Sequence, residues 1–138
     1  MAKVSAKGAV ITIDNSAGAP EAVSKDCKSF DIEYAVNPLE VTGFTEGAKN
    51  FTPGLLSTGV TLDFYWNTVA TVGSMTVLKG IIGLSSGITV SIVPESGSLT
   101  YSGEFMCDGI SPKGGVDGVI ELGSVHFSVV GSTAPTWA

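Results

Sequence analysis

Several residue types are scarce in this sequence, and each shortage argues against a kind of function. The chain has no arginine, one histidine and two cysteines, and its seven lysines face 13 acidic residues for a net charge of −6. Sequence-specific DNA recognition depends on bidentate guanidinium groups and a basic surface patch. The composition therefore argues against a protein that reads DNA, whereas it suits one past which DNA slides without binding.

Motifs for metals and cofactors are also missing. The sequence has no C-x-x-C, no pair of histidines and no calcium loop, so no metal and no cofactor is expected. Asp108 and Asp117 flank one turn, and a weak calcium site there stays open as an alternative. Cys27 and Cys107 are expected to be free, packed thiols, because a cytosolic chain of this size does not need a disulfide.

The length of 138 residues predicts a single domain, residues 1–138, that can bury its own core. Hydrophobic residues make up 43% of the chain and charged residues 14%, which argues against disorder. The apolar run near the N-terminus is too short for a signal peptide, and no stretch approaches the ~20 apolar residues of a membrane helix. We therefore expect a protein made in the cytosol that has no membrane partner.

Apolar and polar residues alternate in several segments, which predicts strands with one buried and one wet face. The pattern changes phase after Leu122, where Gly123 predicts a bulge or bend. Together these segments predict a mainly β, antiparallel protein. The predicted strands cover about 9–13, 29–36, 60–66, 88–92, 99–108 and 120–129.

Helical spacing replaces the alternation between Ser74 and Gly83. Met75, Leu78 and Ile82 form an apolar stripe, Ser74 is a candidate N-cap, and Gly83 suits a left-handed residue past the end. This pattern predicts one short amphipathic α-helix over 74–83. Another strand stays open as the alternative, because several residues of the segment are β-branched.

The segment Asn37–Gly59 has no clean period and contains Pro38, Pro53 and several glycines. Long loops in compact domains are either disordered or functional. Its spaced aromatic residues argue against disorder, so we interpret it as a protruding loop or hairpin, an assembly arm that is buried against another subunit. The residues predicted to make this inter-subunit contact are Val41, Phe44, Phe51 and Leu55.

Patterns that could carry catalysis or sugar binding have simpler interpretations. Gly83–Gly87 matches G-x-S-x-G, but the predicted helix precedes Ser85 instead of following it, so a turn is favoured over a nucleophile elbow. The one histidine, His126, is placed on the polar face of a strand, and no catalytic residue is predicted. Phe64 and Trp66 alternate with core residues, so we expect core packing and not a sugar-stacking platform.

The C-terminal part of the chain resembles the tail tube (major tail) proteins of long-tailed bacteriophages. The resemblance lies in the strand "LTYSGEFMCDGISP", the turn "GGVDG", the strand ending "VHFSVVG" and the closing "STAPTW", over Leu99–Trp137. It extends more loosely upstream, where the order of strand, long loop, strand, helix and further strands is similar to that family.

The resemblance implies an antiparallel β-sandwich with one flanking helix. It also implies a non-enzymatic subunit that forms stacked, generally hexameric rings around a bore through which genome DNA passes. The implied partners are further copies, other tail proteins at the tube ends and non-specifically passing DNA, in a virion tail assembled in the host cytoplasm. A ligand-binding β-sandwich or a virion decoration protein, binding carbohydrate or capsid, is the alternative, followed by a hydrolase built on Ser85 and His126.

Overall fold

The computed structural model describes residues 5–84, 86–95, 97 and 99–138, which form an antiparallel β structure with one short helix. Two 3-10 turns, Ala6–Gly8 and Ser24–Asp26, accompany these elements. In chain order the elements are β1 (Val10–Asp14), β2 (Pro20–Ala22), β3 (Cys27–Glu40), β4 (Phe51–Tyr65), α1 (Ser74–Leu78), β5 (Ile88–Val93), β6 (Tyr101–Cys107), β7 (Glu121–Val129) and β8 (Thr136–Trp137).

The strands form one hydrogen-bonded sheet in the order β2-β1-β5-β6-β7-β4-β3, with β8 added to β6. Its two halves are joined where β6 meets β7 in a short ladder from Phe105 opposite Val129 to Cys107 opposite Phe127. Side chains from both halves are buried in a single hydrophobic cluster. The sheet therefore folds over one core in the manner of a sandwich, as expected. None of the described helices is long and apolar enough to cross a membrane.

The core confirms the alternation read from the sequence. On β4, Val60, Leu62 and Phe64 are buried, while Thr61 and Asp63 lie on the other face. Burying each such apolar side chain contributes about 1.5–3 kcal/mol of hydrophobic free energy. The other buried hydrophobic residues are Ile11, Ile13, Val23, Val77, Leu78, Ile81, Ile88, Val90, Ile92, Tyr101, Phe105, Cys107, Leu122, Val125 and Phe127.

The segment predicted as a protruding loop or hairpin is the end of the long β3–β4 hairpin. Strand β7 pairs with β4 only from Gly59 onwards, so residues 34–58 form a two-stranded extension beyond the sheet. We call residues 34–58 the arm and the rest of the described chain the body. Most of the segment without clean period is therefore strand, and its irregularity reflects a bulge where the pairing shifts between Val36 and Pro38.

The phase change in the last long strand is a bulge, as predicted. Gly123 has a φ of +72°, and the pairing between β4 and β7 shifts between Phe64 and Tyr65, opposite this glycine. Leu122 and Val125 on either side are both buried, although they are three residues apart. Glycine populates positive φ without strain, which is why it stands at the turning point.

The helix is shorter than predicted. It spans Ser74–Leu78 and not 74–83, because Ile82 already returns to the sheet beside Cys107. Ser74 is its first residue and not its N-cap, since Gly73 holds that position. The carboxylate of Asp26 accepts a hydrogen bond from the Ser74 amide at 3.0 Å and caps the helix from a distant turn.

Candidate assembly surface

The arm continues the core-facing side of the hairpin past the point where the body covers it. Cross-strand partners share a face, and the pairs run from Ile32 opposite Val60 to Tyr34 opposite Thr58 and then to Val36 opposite Leu56. Val60 is fully buried, whereas Tyr34 is 46% and Val36 44% exposed. An apolar stripe that begins in the core thus ends in solvent, and it offers area for a second molecule to bury.

The four residues predicted for inter-subunit contact all lie on the arm and are exposed. Val41 and Phe51 flank the turn, which the Val41 amide closes by donating to the Asn50 carbonyl at 2.9 Å. Phe44 lies within this turn and is fully exposed, whereas Leu55 lies in the bulge farther down the arm. The structure therefore brings Val41, Phe44 and Phe51 to the tip and separates Leu55 from them.

The outer edge of β3 is a second open feature. This strand has 14 residues and is the last in the strand order, with β4 on one side. Among the described residues, no strand pairs with its other edge. Unpaired backbone along so long a strand is a ready template for another chain.

A buried tyrosine fixes the arm to the body. Tyr101 is fully buried, lies edge-on to Tyr34 with ring centroids 6.1 Å apart, and packs against Trp137 at 5.2 Å. Its hydroxyl is hydrogen-bonded to Thr58, whose own hydroxyl donates to the Glu33 carbonyl at 2.6 Å. Burial raises the pKa of Tyr101 in spite of the bond to Thr58. These contacts of Tyr34 and Thr58 with Tyr101 fix the start of the arm to the body, and we call them the joint.

The opposite side of β3, β4 and β7 is a polar surface built of three cross-strand rows. We call these residues the polar face; the rows are Ser29–Asp63–Ser124, Asp31–Thr61–His126 and Glu33–Gly59–Ser128. Both serines of the first row donate to the Asp63 carboxylate at 2.7 Å, and these bonds lower the pKa of Asp63. The polar face carries three carboxylates and no lysine, so it is an acidic wall.

Asp108 lies beside His126 and Ser128 of the polar face, but the arrangement of these three residues is not that of a catalytic triad. The carboxylate of Asp108 contacts His126 Nδ1 at 2.7 Å and accepts from the Ser128 hydroxyl at 2.9 Å. In a triad the serine would bond the other ring nitrogen, Nε2, which here lies over Gly59. Ser85, which the hydrolase alternative pairs with His126, is outside the described residues.

The cysteines occupy protected positions and are not bonded to each other. Cys107 is buried in the core and Cys27 half-buried at the start of β3. Burial raises the pKa of Cys27 to about 11 and raises that of Cys107 as well. Within the described ranges, no cluster of three or more metal-binding side chains occurs, and Asp108 is already engaged with His126.

Sequence reasoning placed Trp66 in the core, and this was wrong. Trp66 lies just past the end of β4, where its amide donates to the Ile120 carbonyl at 2.9 Å, and it is 39% exposed. Together with Tyr65 it lines an open cleft of about 560 Å³, whose remaining wall is Gly118, Val119 and Ile120. The alternation failed here because the strand ends at Tyr65 and no longer fixes the side of the next residue.

Comparisons with known proteins identify the fold. No protein-family model and no curated protein sequence matches the chain. A chain from the tail of an empty GTA particle, determined by helical refinement with C6 symmetry, is similar with a TM-score of 0.74 and 17% identity, over 99% of both chains.

Two further structures are similar over nearly the whole chain. A chain from the virion of a native gene transfer agent (GTA) particle has a TM-score of 0.68 and 16% identity, over 93% of this chain and 95% of that one. A chain from the six-fold symmetrised baseplate of the anti-feeding prophage has a TM-score of 0.64 and 10% identity, over 100% and 96%. The protein therefore has the fold of these tail and baseplate chains, which confirms the tail-tube-like fold expected from its sequence.

Proposed function

We propose that this protein is a structural, non-enzymatic subunit of a phage-type tail, whose copies polymerise into stacked rings around a bore for genome DNA. Its partners are then further copies of itself and other tail proteins at the tube ends, in a virion tail assembled in the host cytoplasm. The fold supports this role, because similar chains belong to a C6-symmetric tail and to a six-fold baseplate. The six-fold symmetry of these similar structures supports six copies per ring.

The arm is the observation that carries the proposal. A monomer gains nothing from extending two strands beyond its sheet, since an isolated two-stranded ribbon is marginal in water. The arm exposes Tyr34 and Val36 on its core-facing side and Phe44 at its tip. A neighbouring subunit that covered these side chains would bury them at the usual gain of about 25 cal/mol per Å².

Ring closure would use the open edge of β3. In a ring, a strand of the next subunit can add to this edge and complete its backbone hydrogen bonds, and this removes the exposed edge altogether. The side-by-side contact would then involve backbone, while the arm would make contacts between rings. The tip of the arm lies beyond the end of β3, so it can be removed while the edge of that strand is kept.

The polar face suits the wall of a bore for DNA. Asp31, Glu33 and Asp63 would repel phosphates, while the remaining positions are serine, threonine, glycine and histidine. Such repulsion acts within a Debye length, about 8 Å at physiological salt. DNA passing near this wall would therefore meet a barrier to binding and no site that holds it.

Deleting Val41–Pro53 tests the role of the arm. We expect a folded chain that no longer forms tubes, because the tip is lost while Tyr34, Thr58 and Tyr101 still brace the joint. Circular dichroism and urea unfolding report the fold, and negative-stain electron microscopy reports tubes. Thr45→Ala, which changes the exposed turn without shortening it, is the control and should assemble. Full tubes from the deletion variant would show that the arm is not needed.

The charge of the bore is tested separately. Wild-type tubes should bind duplex DNA weakly even at about 50 mM salt. The variant Asp31→Lys/Glu33→Lys should bind it more tightly and lose that binding at about 200 mM salt. The matched control Asp14→Lys/Glu104→Lys makes the same change in net charge outside the polar face. Tight, salt-sensitive binding by wild-type tubes would contradict a bore wall that repels DNA.

A ligand-binding module is the second candidate, and the cleft beside Tyr65 and Trp66 is the observation that favours it. Adjacent exposed aromatic rings can stack on sugars, as they do on other flat apolar surfaces. A glycan array with the purified chain discriminates the two functions. Specific glycan binding that is lost in Trp66→Ala, combined with no assembly at high protein concentration, would favour this candidate over the tail subunit.

A further inference from the structure

The cleft next to the end of β4 is an apolar surface without a partner in the described chain. Its walls are Tyr65, Trp66, Gly118, Val119 and Ile120, and its volume is about 560 Å³. Val119 is 69% exposed and Ile120 46%. Contiguous apolar surface of this kind marks a place where another molecule binds.

The tip of the arm carries an exposed apolar side chain that could enter such a cleft. Phe44 is fully exposed, on a turn ordered by the bond from the Val41 amide to the Asn50 carbonyl and by that from the Glu46 amide to the Gly43 carbonyl. A buried phenylalanine removes about 150–250 Å² from water, which is more than other exposed residues of the tip can offer. The chain therefore presents an aromatic ring on a hydrogen-bonded turn and does not bury that ring itself.

The projection and the cleft lie at opposite ends of one strand. The arm tip precedes Phe51, the first residue of β4, and the cleft begins at Tyr65, the last. A strand of 15 residues at about 3.3 Å per residue spans up to about 46 Å, so the contact cannot form within one chain. Complementary features at opposite ends make a head-to-tail contact that can repeat from copy to copy.

A glutamate of the tip and an unpaired lysine beside the cleft are of opposite charge. Glu40 and Glu46 lie on the tip, where Lys49 is the one cation. Beside the cleft, Lys28 lies over the Tyr65 ring at 5.7 Å and pairs with Glu121 at 2.7 Å. Lys113 is adjacent, in a groove that it shares with Lys28, Asp63 and Glu121, and it has no ion-pair partner among the described side chains. An acidic tip can therefore pair with this lysine.

We propose that the cleft is a socket for Phe44 of a second copy of this chain. The inference rests on the proposed function in that it gives the ring-to-ring contact its receiving site, which no comparison assigns. Phe44 inserts between the Tyr65 and Trp66 rings and the Val119–Ile120 wall. The arm of each subunit then ends at the C-terminal end of β4 in the next subunit along the tube.

A cross-link tests the contact directly. Thr45→Cys places a thiol beside Phe44, and Val116→Cys places one on the exposed turn next to the socket, in a Cys27→Ser background. Treatment with a short bis-maleimide should give a ladder of dimers, trimers and longer chains, because each copy donates one tip and offers one socket. The matched control, Thr45→Cys with Val10→Cys on the other half of the sheet, should give at most a trace of dimer.

The possible results separate this proposal from the proposed function. Tubes that form without the ladder would overturn the socket and leave the tail role intact. A ladder without tubes would support the socket and count against the tail role. Neither tubes nor ladder would overturn both, and binding of a saccharide at Trp66 by a chain that gives no ladder would assign the cleft to that ligand instead.

Complementation provides a second test that does not need cysteines. Phe44→Ala removes the tip but keeps the socket, and Val119→Asp spoils the socket but keeps the tip. Each variant alone should raise the critical concentration for assembly roughly tenfold or more, as removal of a central aromatic anchor does. When the two variants are mixed, the tip of Val119→Asp can still enter the socket of Phe44→Ala, but the reverse contact is lost. Assembly should therefore stop after one such contact. Full-length tubes from the mixture, or from either variant at the wild-type concentration, would overturn the proposal.

Discussion

The two ends of the β3–β4 hairpin follow the same sequence pattern but have different surroundings. In the body, Leu62 and Val60 of the core-facing stripe are fully buried. In the arm, the same stripe continues through Val36, which is 44% exposed, and Leu56, which is half-buried. The change occurs near Gly59, the point past which β7 no longer pairs with β4.

Alternation therefore specifies which side of a strand is apolar, but not what covers that side. In the body the cover is the other half of the sheet, and in the arm no segment of the described chain provides one. Under the proposed function, a neighbouring subunit covers this part of the stripe. Substitutions matched between the two ends can test that interpretation.

The largest expected difference is between Leu62→Ala and Leu56→Ala, which are the same change on the same face of β4. Leu62→Ala should lower the free energy of unfolding by about 2–5 kcal/mol, because it leaves a cavity in a closed core. Leu56→Ala should cost under about 1 kcal/mol in the isolated chain, because its site can fill with water. Urea unfolding followed by tryptophan fluorescence measures both.

Assembly should show the opposite order. Under conditions where Leu62→Ala remains folded, this variant should still form tubes. Leu56→Ala should assemble poorly, because the contact with the covering subunit loses area. Equal losses of stability from the two variants would mean that the arm is already covered within one chain, and the comparison would fail.

Two glycines give the next largest effect. Gly123→Ala should destabilise the body by about 1–2 kcal/mol, because its φ of +72° is unfavourable for other residues and a Cβ would lie 3.2 Å from the Ser111 carbonyl oxygen. Gly54→Ala would place a Cβ 2.5 Å from the Asn37 carbonyl oxygen and distort the bulge of the arm. Hydrogen exchange should show faster arm amides in Gly54→Ala and an unchanged body. Loss of protection in β7 of that variant would contradict the separation of the two regions.

Tyr101→Phe probes the joint between the regions with a smaller effect. Removing the hydroxyl takes away its hydrogen bond to Thr58 and should cost about 0.5–1.5 kcal/mol, while the aromatic packing remains. NMR line widths of the arm should also increase, because the joint loses one of its braces. Thr58→Val is the companion variant, and a double-mutant cycle between the two positions should give a non-zero coupling energy.

The smallest expected effect is the acid response of Asp63. Bonds from Ser124 and Ser29 hold its pKa below the usual 3.8 in the folded state. Its contribution to stability is therefore fully present above pH 3.8 and is lost as the pH falls through the folded value. Asp63→Asn should flatten the pH dependence of unfolding below pH 4 and leave the arm unaffected. An NMR titration of Asp63 that gave an ordinary or raised pKa would contradict this.

Much of the body could be predicted from the sequence because its signals are local. The inner face of each long strand and the bulge at Gly123 follow from consecutive residues, and the structure confirms them. The helix was overextended because Ile82 keeps the apolar spacing of a helix while it pairs with Cys107 in the sheet. Such a pairing depends on a distant strand, and nothing near Ile82 in the sequence indicates it.

The candidate surface was predicted only in part. Its tip residues Val41, Phe44 and Phe51 were signalled by isolated apolar residues among glycines and prolines. The exposed Tyr34 and Val36 were missed as surface residues, since their alternation is the same as that of the core. The cleft at Trp66 was missed as well, because its far wall, Val119 and Ile120, comes from a turn more than 50 residues away in sequence.

The sequence by itself determined the class of the protein, the course of its strands and the apolar side of each, because side-chain alternation depends only on consecutive residues. The tertiary structure alone decided which stretches of those apolar sides are covered, which strand edge stays open and where the arm leaves the body. Burial is a property of what lies opposite a residue, and in this chain that is set by strands far apart in sequence. For the arm and the cleft, no covering segment lies within the described chain.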